Sequence, residues 1–146
     1  MECLKVTKLD ERAVVPARAT DGSAGYDLSA LLDGPLTIKA GMSVLVPTGI
    51  AVELPGGGYG AFVFARSGLA VKHGIALSNG VGVVDSDYRG EIKVGLVNLS
   101  GRDYILEPFE RVAQLVVLPV CAWPVVEAQA LGGTARGAGG FGSTGR

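Results

Sequence analysis

Short runs of β-branched and aromatic residues, broken every few positions by Gly, Pro, Asn or Asp, limit most strongly what this chain can fold into. The runs occur at 35–38, 43–53, 59–64, 80–84, 91–98, 103–106 and 111–120. Their spacing of roughly 8–12 residues is typical of an all-β sandwich or barrel. Helical periodicity occurs only at 67–72, where Ser67 can be an N-cap and Gly74 a C-terminal stop. The sequence therefore predicts one all-β domain with a single short helix.

Charge and composition exclude several functional classes. Thirteen basic and 14 acidic residues leave a net charge of −1, which argues against a broad surface for duplex nucleic acid or for an anionic membrane. Cys3 and Cys121 form neither a disulfide framework nor a zinc pattern. The single histidine, His73, has no carboxylate at a telling spacing, and we predict a structural role for it. With no long apolar stretch, we expect no signal peptide, no transmembrane segment and an intracellular, cytoplasmic protein.

Two glycine-rich segments depart from this pattern. Residues 56–58 are three consecutive glycines, which predict a loop tip between two strands. Residues 132–146 contain seven glycines and one aromatic side chain, Phe141, with too little apolar surface to order themselves. This end is either a disordered tail or an arm that orders over a ligand, with its arginines and backbone N–H groups meeting an anion. We accordingly divide the chain into a body, 1–131, and an arm, 132–146.

The segment 65–70, ARSGLA, follows an apolar strand and opens the predicted helix. The N-terminus of a helix presents unpaired N–H groups that suit a phosphate. Arg66 adds a forked cation and Ser67 a hydroxyl. A plain helix cap at Ser67 explains the same residues, and both interpretations stay open at this point.

The segment 79–90, NGVGVVDSDYRG, is more informative. An Asn-Gly turn followed by an apolar strand predicts a hairpin, and the strand delivers Asp85 directly after valines expected to be buried. Asp87 is expected to bond its own backbone in a turn. Asp85 can instead act as a general base toward water, and Tyr88 can pack on a flat or sugar-like ligand. A structural turn and an active site fit this segment equally well.

Two further segments place polar groups among small or apolar residues. The segment 22–30 carries Asp27 where a backbone approaches closely, and the segment 110–115 places Gln114 inside an apolar strand. A buried amide needs a hydrogen-bond partner. Gln114 is therefore expected to bond either a neighbouring backbone group or a ligand.

Taken in order, five segments resemble the five motifs of the homotrimeric dUTPase family (dUTP diphosphatase). They are AGYDLSA at 24–30, ARSGLA at 65–70, NGVGVVDSDYRGEIKV at 79–94, ERVAQLVVLPV at 110–120 and RGAGGFGSTGR at 136–146. Each motif alone is modest, but five in order across nearly the whole chain are specific.

The resemblance implies a jelly-roll-like distorted β-barrel and a homotrimer whose three active sites are each shared between subunits. It implies Mg²⁺-dependent hydrolysis of dUTP to dUMP and pyrophosphate, which limits uracil in DNA and supplies dUMP for dTMP synthesis. The Mg²⁺ would be held mainly by substrate phosphates and water, without a direct protein ligand. Asp27 matches a position that can contact the metal through water.

The resemblance also implies roles for individual residues. Asp85 matches the aspartate that activates the water attacking the α-phosphorus, Tyr88 the residue under the deoxyribose, and Gln114 a glutamine near the α-phosphate and that water. In the arm, Arg136 matches a γ-phosphate contact and Phe141 the ring that covers uracil. The remaining substrate-binding positions are Arg66, Ser67, Gly68, Asn79, Gly82, Val83, Val84, Lys93, Gly142, Ser143 and Thr144.

Two other functions use the same fold. A dCTP deaminase, or a bifunctional deaminase–dUTPase, needs its own acid/base group near the cytosine amino group, and Glu91 is the nearest glutamate in the third motif. A non-catalytic module can keep the fold and bind only a nucleotide or a protein. The full set of expected catalytic groups favours the hydrolase.

Overall fold

A computed structural model describes residues 3–140 of the chain, which form eleven strands and one helix within that range. The elements in chain order are β1 Lys5–Lys8, β2 Tyr26–Ser29, β3 Leu36–Ile38, β4 Ser43–Pro47, β5 Ile50–Glu53, β6 Tyr59–Ala65, α1 Ser67–His73, β7 Ile75–Leu77, β8 Gly82–Val84, β9 Lys93–Asn98, β10 Tyr104–Leu106 and β11 Arg111–Pro119.

The strands pair antiparallel in four sheets. One sheet has the order β2-β11-β6-β8, a second has the order β4-β9-β7, and the pairs β1-β5 and β10-β3 complete the body. The predicted all-β, jelly-roll-like class with one short helix is confirmed. The paired strands of residues 3–140 do not close into a single barrel.

The core lies between these sheets, because each strand turns alternate residues inward. In β9, for example, Val94, Leu96 and Asn98 are buried while their neighbours are more exposed. The largest fully buried apolar side chains are Leu28, Ile38, Ile50, Ile75, Leu96, Leu106 and Leu115. Since none of the described helices is both long and apolar enough to cross a bilayer, no membrane-spanning helix occurs in residues 3–140.

Several strand boundaries differ from the sequence-based prediction. The run 43–53 is two strands, β4 and β5, because the chain turns at Gly49 with φ of +68°. A Cβ there would lie 2.5 Å from Leu31 Cδ2, so only glycine fits. The prediction missed β1, β2 and β7, which are short and have too few residues to show a period.

The single helix, α1, is confirmed, but its first turn differs from the prediction. Arg66 is the N-cap residue, without a side-chain cap hydrogen bond, and Ser67 is already helical. The predicted cap at Ser67 is therefore wrong. Gly74 ends the helix in the left-handed conformation as predicted, with φ of +69°. At the end of α1, His73 packs against the Tyr104 ring, with centroids 5.1 Å apart.

The predicted hairpin after Asn79 is also wrong. The turn itself exists, since Gly80 N–H donates to Leu77 O at 3.2 Å. However, β7 pairs with β9 and β8 pairs with β6, so the strands on either side of the turn belong to different sheets. The chain opens at this point, and a cleft lies between β8 and the start of β9.

Candidate active site

Most residues of the third motif, 79–94, line one cleft. It has a volume of about 420 Å³, and Asp85, Tyr88 and Lys93 are among its lining residues. The valines before Asp85 were expected to be buried, but only Val84 is, whereas Val83 is 65% exposed because it faces away from the core. Strand β8 ends at Val84, and Asp85 is exposed at the rim of the cleft. Gly82 lets β8 approach β6 closely, because a Cβ there would lie 3.0 Å from the Val63 Cβ. We call this cavity the Asp85 cleft; its lining residues are Val63, Leu77, Asn79, Gly82, Val83, Val84, Asp85, Tyr88, Glu91, Ile92, Lys93, Val94 and Gly95.

Tyr88 is held in place on one side of this cleft. Its hydroxyl donates to Glu91 O at 3.0 Å, and its backbone N–H donates to Asp85 O at 3.2 Å. The ring lies against Gly90, where a Cβ would come within 2.4 Å of the Tyr88 hydroxyl oxygen. The Tyr88 side chain is 46% exposed, so its ring can meet a ligand.

The second cleft, of about 260 Å³, brings together the first, second and fourth motifs. We call it the Arg66 cleft; its lining residues are Ala19, Ser23, Ala24, Gly25, Asp27, Arg66, Ser67, Gly68 and Gln114. Ser67 and Gly68 are exposed at the start of α1, and Arg66 caps it. The cleft therefore offers a guanidinium, a hydroxyl and the free N–H groups of a helix start, all of which are hydrogen-bond donors.

Asp27 orders the cations beside this cleft. One carboxylate oxygen lies 3.1 Å from Arg66 Nε and the other lies 2.9 Å from Arg111 Nη1. Arg66 also donates from Nη1 to Arg111 O at 3.1 Å. The Asp27 side chain is 19% exposed, so this three-membered network is partly shielded from solvent. Sequence reasoning missed Arg111, whose pairing depends on the register of β11 against β2.

Gln114 finds a backbone partner, which was one of its two predicted alternatives. Its Nε2 donates to Ala65 O at 3.0 Å. A Cβ on Gly25 would lie 3.0 Å from Gln114 Oε1, so glycine at that position leaves room for the amide. The amide oxygen therefore lies beside Gly25, just before β2.

The two clefts are separate within one chain and share no lining residue. Strand β6 lies between β8, which precedes Asp85, and β11, which carries Gln114. Two strand spacings place the backbones about 10 Å apart across the sheet. The β6 partner of Gln114, Phe64, is three residues from Ala61, the partner of Val84, which adds about 10 Å along the strands. Asp85 lies one residue beyond Val84, so the backbones of Asp85 and Gln114 in one chain are about 16 Å apart, too far for both side chains to bind the same water.

Arg136 is the one predicted arm residue inside the described range. Residues 120–140 follow β11 and are exposed throughout, and Arg136 Nε donates to Gly139 O at 3.1 Å. The structure does not bring Arg136 into contact with either cleft. The other predicted arm residues lie outside the described residues: Phe141, Gly142, Ser143 and Thr144.

The fit of a divalent metal depends on the donors that the chain offers. Within residues 3–140, no three His, Cys, Asp or Glu side chains gather in a group able to hold a metal ion. Asp27, the predicted contact through water, has an arginine on each carboxylate oxygen. A metal bound here would need most of its ligands from another molecule, and phosphate oxygens are suitable ligands.

The family model and the similar curated proteins indicate the same family. The family model described as dUTPase matches residues 11–145. A deoxyuridine 5'-triphosphate nucleotidohydrolase from Desulfitobacterium hafniense is 54% identical over 136 residues, covering 93% of this chain and 90% of that protein. A protein of the same name from Burkholderia multivorans is 50% identical over 143 residues, covering 98% and 97%.

Solved structures share the fold at low sequence identity. The dUTPase of Staphylococcus bacteriophage 80alpha, determined with dUPNHPP, has a TM-score of 0.86 at 22% identity and covers all of both chains. A mutant dUTPase from phage phi11 of S. aureus has a TM-score of 0.80 at 20% identity and covers 88% of this chain and 98% of its own. That structure is described as showing the coordination of a structural Mg(II) ion.

Proposed function

Because this chain belongs to the dUTPase family and is a dUTP diphosphatase, we propose that it uses water to cleave dUTP into dUMP and pyrophosphate. The observation that carries the mechanism is the Asp85 cleft, where an exposed carboxylate follows buried Val84 beside a tyrosine whose hydroxyl is hydrogen-bonded to Glu91 O. In a cytoplasmic setting, the reaction would limit uracil incorporation into DNA and supply dUMP for dTMP synthesis.

Asp85 is proposed to take a proton from the water that attacks the α-phosphorus. Its carboxylate is exposed at the cleft rim and makes no hydrogen bond or ion pair with the described residues. A carboxylate placed in this way can orient a water and accept its proton as the P–O bond forms. The electrons of the broken P–O bond leave with pyrophosphate.

The pyrophosphate leaving group needs its charge neutralised. We propose that Arg66, Ser67 and Gly68 bind the phosphates, and that Gln114 lies near the α-phosphate and the attacking water. Mg²⁺, when bound by the phosphates and water, would add positive charge at the leaving group. Asp27 supports this set by holding Arg66, and its metal contact through water stays a prediction.

Selection of the nucleotide is proposed to occur in the Asp85 cleft. Backbone groups of Asn79, Gly82, Val83 and Val84 would pair with the edge of uracil, and cytosine would leave those groups unpaired. Tyr88 would pack on the deoxyribose and leave no space for a 2′-hydroxyl. Lys93 also lines this cleft, and its contact with substrate stays a prediction.

The separation of the two clefts supports a site shared between subunits. Since Asp85 and Gln114 of one chain cannot reach one water, the Asp85 cleft of one subunit would face the Arg66 cleft of another. A cyclic trimer closes such a contact into three equivalent sites. The arm from 132 to 146 would then cover each site, with Arg136 at the γ-phosphate, Phe141 on uracil, and Gly142, Ser143 and Thr144 on the phosphate side.

Release of pyrophosphate from dUTP, dCTP, dTTP and UTP, with Mg²⁺ and with EDTA, tests the proposal. We expect release from dUTP alone, and slower release with EDTA. Ammonia from dCTP would instead assign the chain to the deaminases. A folded sample that turns over none of the four nucleotides would overturn the proposal in favour of a binding module.

A further inference from the structure

Glu91 has contacts in the wall of the Asp85 cleft that the proposed reaction does not use. Its side chain is 23% exposed, and its Oε1 accepts the Gly49 N–H at 2.9 Å. Its backbone oxygen accepts the Tyr88 hydroxyl at 3.0 Å. Its Oε2 lies 3.5 Å from Lys93 Nζ. One residue therefore connects the tyrosine, the lysine and the connection between β4 and β5.

The Gly49 end of this chain of contacts is closely packed in the body. Gly49 is buried, has a positive φ and lies so close to Leu31 that no side chain fits there. Two further hydrogen bonds bind the same connection to Ile92: its N–H donates to Ile50 O at 2.9 Å, and its carbonyl accepts the Thr48 hydroxyl. Residues 91 and 92 are thus attached to the body through 48–50.

The Tyr88 end depends on that attachment. The Tyr88 hydroxyl donates a hydrogen bond to Glu91 O, and the Tyr88 ring lies against Gly90. A shift of residue 91 would carry the hydroxyl's acceptor with it. The Tyr88 ring can exclude a 2′-hydroxyl only if it does not move aside when the larger sugar binds. Its position must therefore be fixed to within less than the size of a hydroxyl group.

We infer that Glu91 is a positioning residue for sugar discrimination: by accepting the Gly49 N–H, its carboxylate holds the wall that carries Tyr88. This inference rests on the proposed function, since it concerns the choice between dUTP and UTP. Glu91 acts through Tyr88 and does not take part in proton transfer. The hydrogen bond from the Gly49 N–H to the Glu91 carboxylate is the contact that positions Tyr88. The ion pair with half-exposed Lys93 contributes less.

The test compares Glu91→Ala with Glu91→Gln. The alanine variant removes the acceptor, and we expect the ratio of kcat/KM for dUTP to that for UTP to fall about tenfold, through a lower KM for UTP with kcat for dUTP nearly unchanged. The glutamine variant keeps an oxygen for Gly49 N–H and should retain the wild-type ratio despite losing its charge. Glu53→Ala, which removes an exposed pair with Lys5 outside the cleft, is the matched control.

Three results would overturn the inference. The first is a wild-type ratio in Glu91→Ala, even with a lower Tm, because that outcome marks a purely structural residue. The second is a fall in the dUTP/UTP ratio in Glu91→Gln as large as in Glu91→Ala, because the negative charge, and not the hydrogen bond to Gly49, would then be what Glu91 contributes. The third is an unchanged ratio in Tyr88→Phe, which removes only the hydroxyl bonded to Glu91 and applies even where Glu91→Ala does not fold.

Calorimetric binding separates this inference from the proposed function. The affinities of each variant for dUpNHpp and for the matching ribonucleotide analogue give a discrimination ratio without turnover. A wild-type protein that discriminates between the analogues but releases no pyrophosphate would reject the reaction and leave the Glu91 comparison valid. Equal discrimination by wild type and Glu91→Ala in this assay would reject the role of Glu91 even where the reaction is confirmed.

Discussion

At the scale of single residues, Asp85 has the surroundings that a general base needs. The carboxylate is exposed at the rim of its cleft, and the β8 strand behind it is anchored on β6. Asp87, two residues later, is also exposed but does not line the cleft. The two aspartates therefore form a natural pair of test and control positions.

Asp85→Asn should lower kcat for dUTP by about 10²–10⁴-fold, because an amide cannot accept the proton of the attacking water. The affinity for dUpNHpp should stay near the wild-type value, since the change affects the transition state more than the bound substrate. Steady-state kinetics and calorimetry measure the two quantities. Asp87→Asn is the control, and weak binding with normal turnover in Asp85→Asn would contradict the assignment.

Tyr88→Ala should relax the choice between dUTP and UTP, because it removes the ring expected to occupy the space of a 2′-hydroxyl. The ratio of the two kcat/KM values should fall at least about tenfold. Competition between the two nucleotides in one assay measures this ratio directly. An unchanged ratio would show that the ring does not contact the sugar.

At the scale of elements, Asn98 joins strands that the chain separates widely. It is fully buried at the end of β9, and its Nδ2 donates to Ile38 O at 2.9 Å and to Arg102 O at 2.8 Å. Its Oδ1 accepts the Ser100 N–H at 3.0 Å. The end of β3 and the connection from β9 to β10 are therefore held together by one amide.

Asn98→Ala should lower the free energy of unfolding by about 2–4 kcal/mol, because it leaves a cavity at a fully buried position and removes the amide from the buried Ile38 carbonyl and from the Ser100 N–H. Urea denaturation followed by circular dichroism measures the change. Asn98→Asp should be no more stable than the alanine variant, since a carboxylate cannot donate to the Ile38 and Arg102 carbonyls. A loss below about 0.5 kcal/mol in both variants would show that water replaces the amide.

At the scale of the whole molecule, one chain has two separate clefts that each carry part of the proposed site. The cleft with the proposed base and the cleft with the proposed phosphate-binding groups lie on opposite sides of β6. Residues 120–140 extend from β11 as an exposed segment with large apolar side chains, among them Trp123, which is 80% exposed. The proposed trimer would account for both features, because neighbouring subunits would complete the site and cover the segment.

Mixing two inactive variants tests whether sites are shared. Asp85→Asn and Arg66→Ala should each have little activity, but an equimolar mixture unfolded and refolded together should regain up to about a quarter of wild-type activity. In such a mixture, half of the subunits keep Asp85 and the other half keep Arg66. A site shared between two chains is complete only when one chain supplies Asp85 and the other supplies Arg66, which happens in about a quarter of the sites. Pyrophosphate release before and after mixing measures the gain, and no gain from refolded mixed oligomers would place the whole site in one chain.

Deletion of residues 136–146 should abolish turnover without unfolding the body, because the strands end at Pro119. The circular dichroism spectrum and the Tm should stay close to those of the full chain. Full activity after the deletion would contradict a functional arm. A lower Tm with lost activity would show that the segment contributes to the stability of the body.

Much of this protein was determined by local sequence. Eight of the eleven described strands, the helix and its end at Gly74, and the five motifs follow from residue order, because turn residues and side-chain type act over a few positions. Asp85 could likewise be recognised as a candidate base, since it directly follows an apolar run in sequence.

Only the tertiary structure decided which segments meet. The pairing of β7 with β9 and of β8 with β6 opened the cleft that a simple hairpin would have closed, because strand partners are chosen by burial across the whole fold. The register of β11 brought Arg111 to Asp27, and the packing around Gly49 brought a fixed N–H to Glu91. These contacts join residues far apart in sequence, and no local pattern encodes the distance between them.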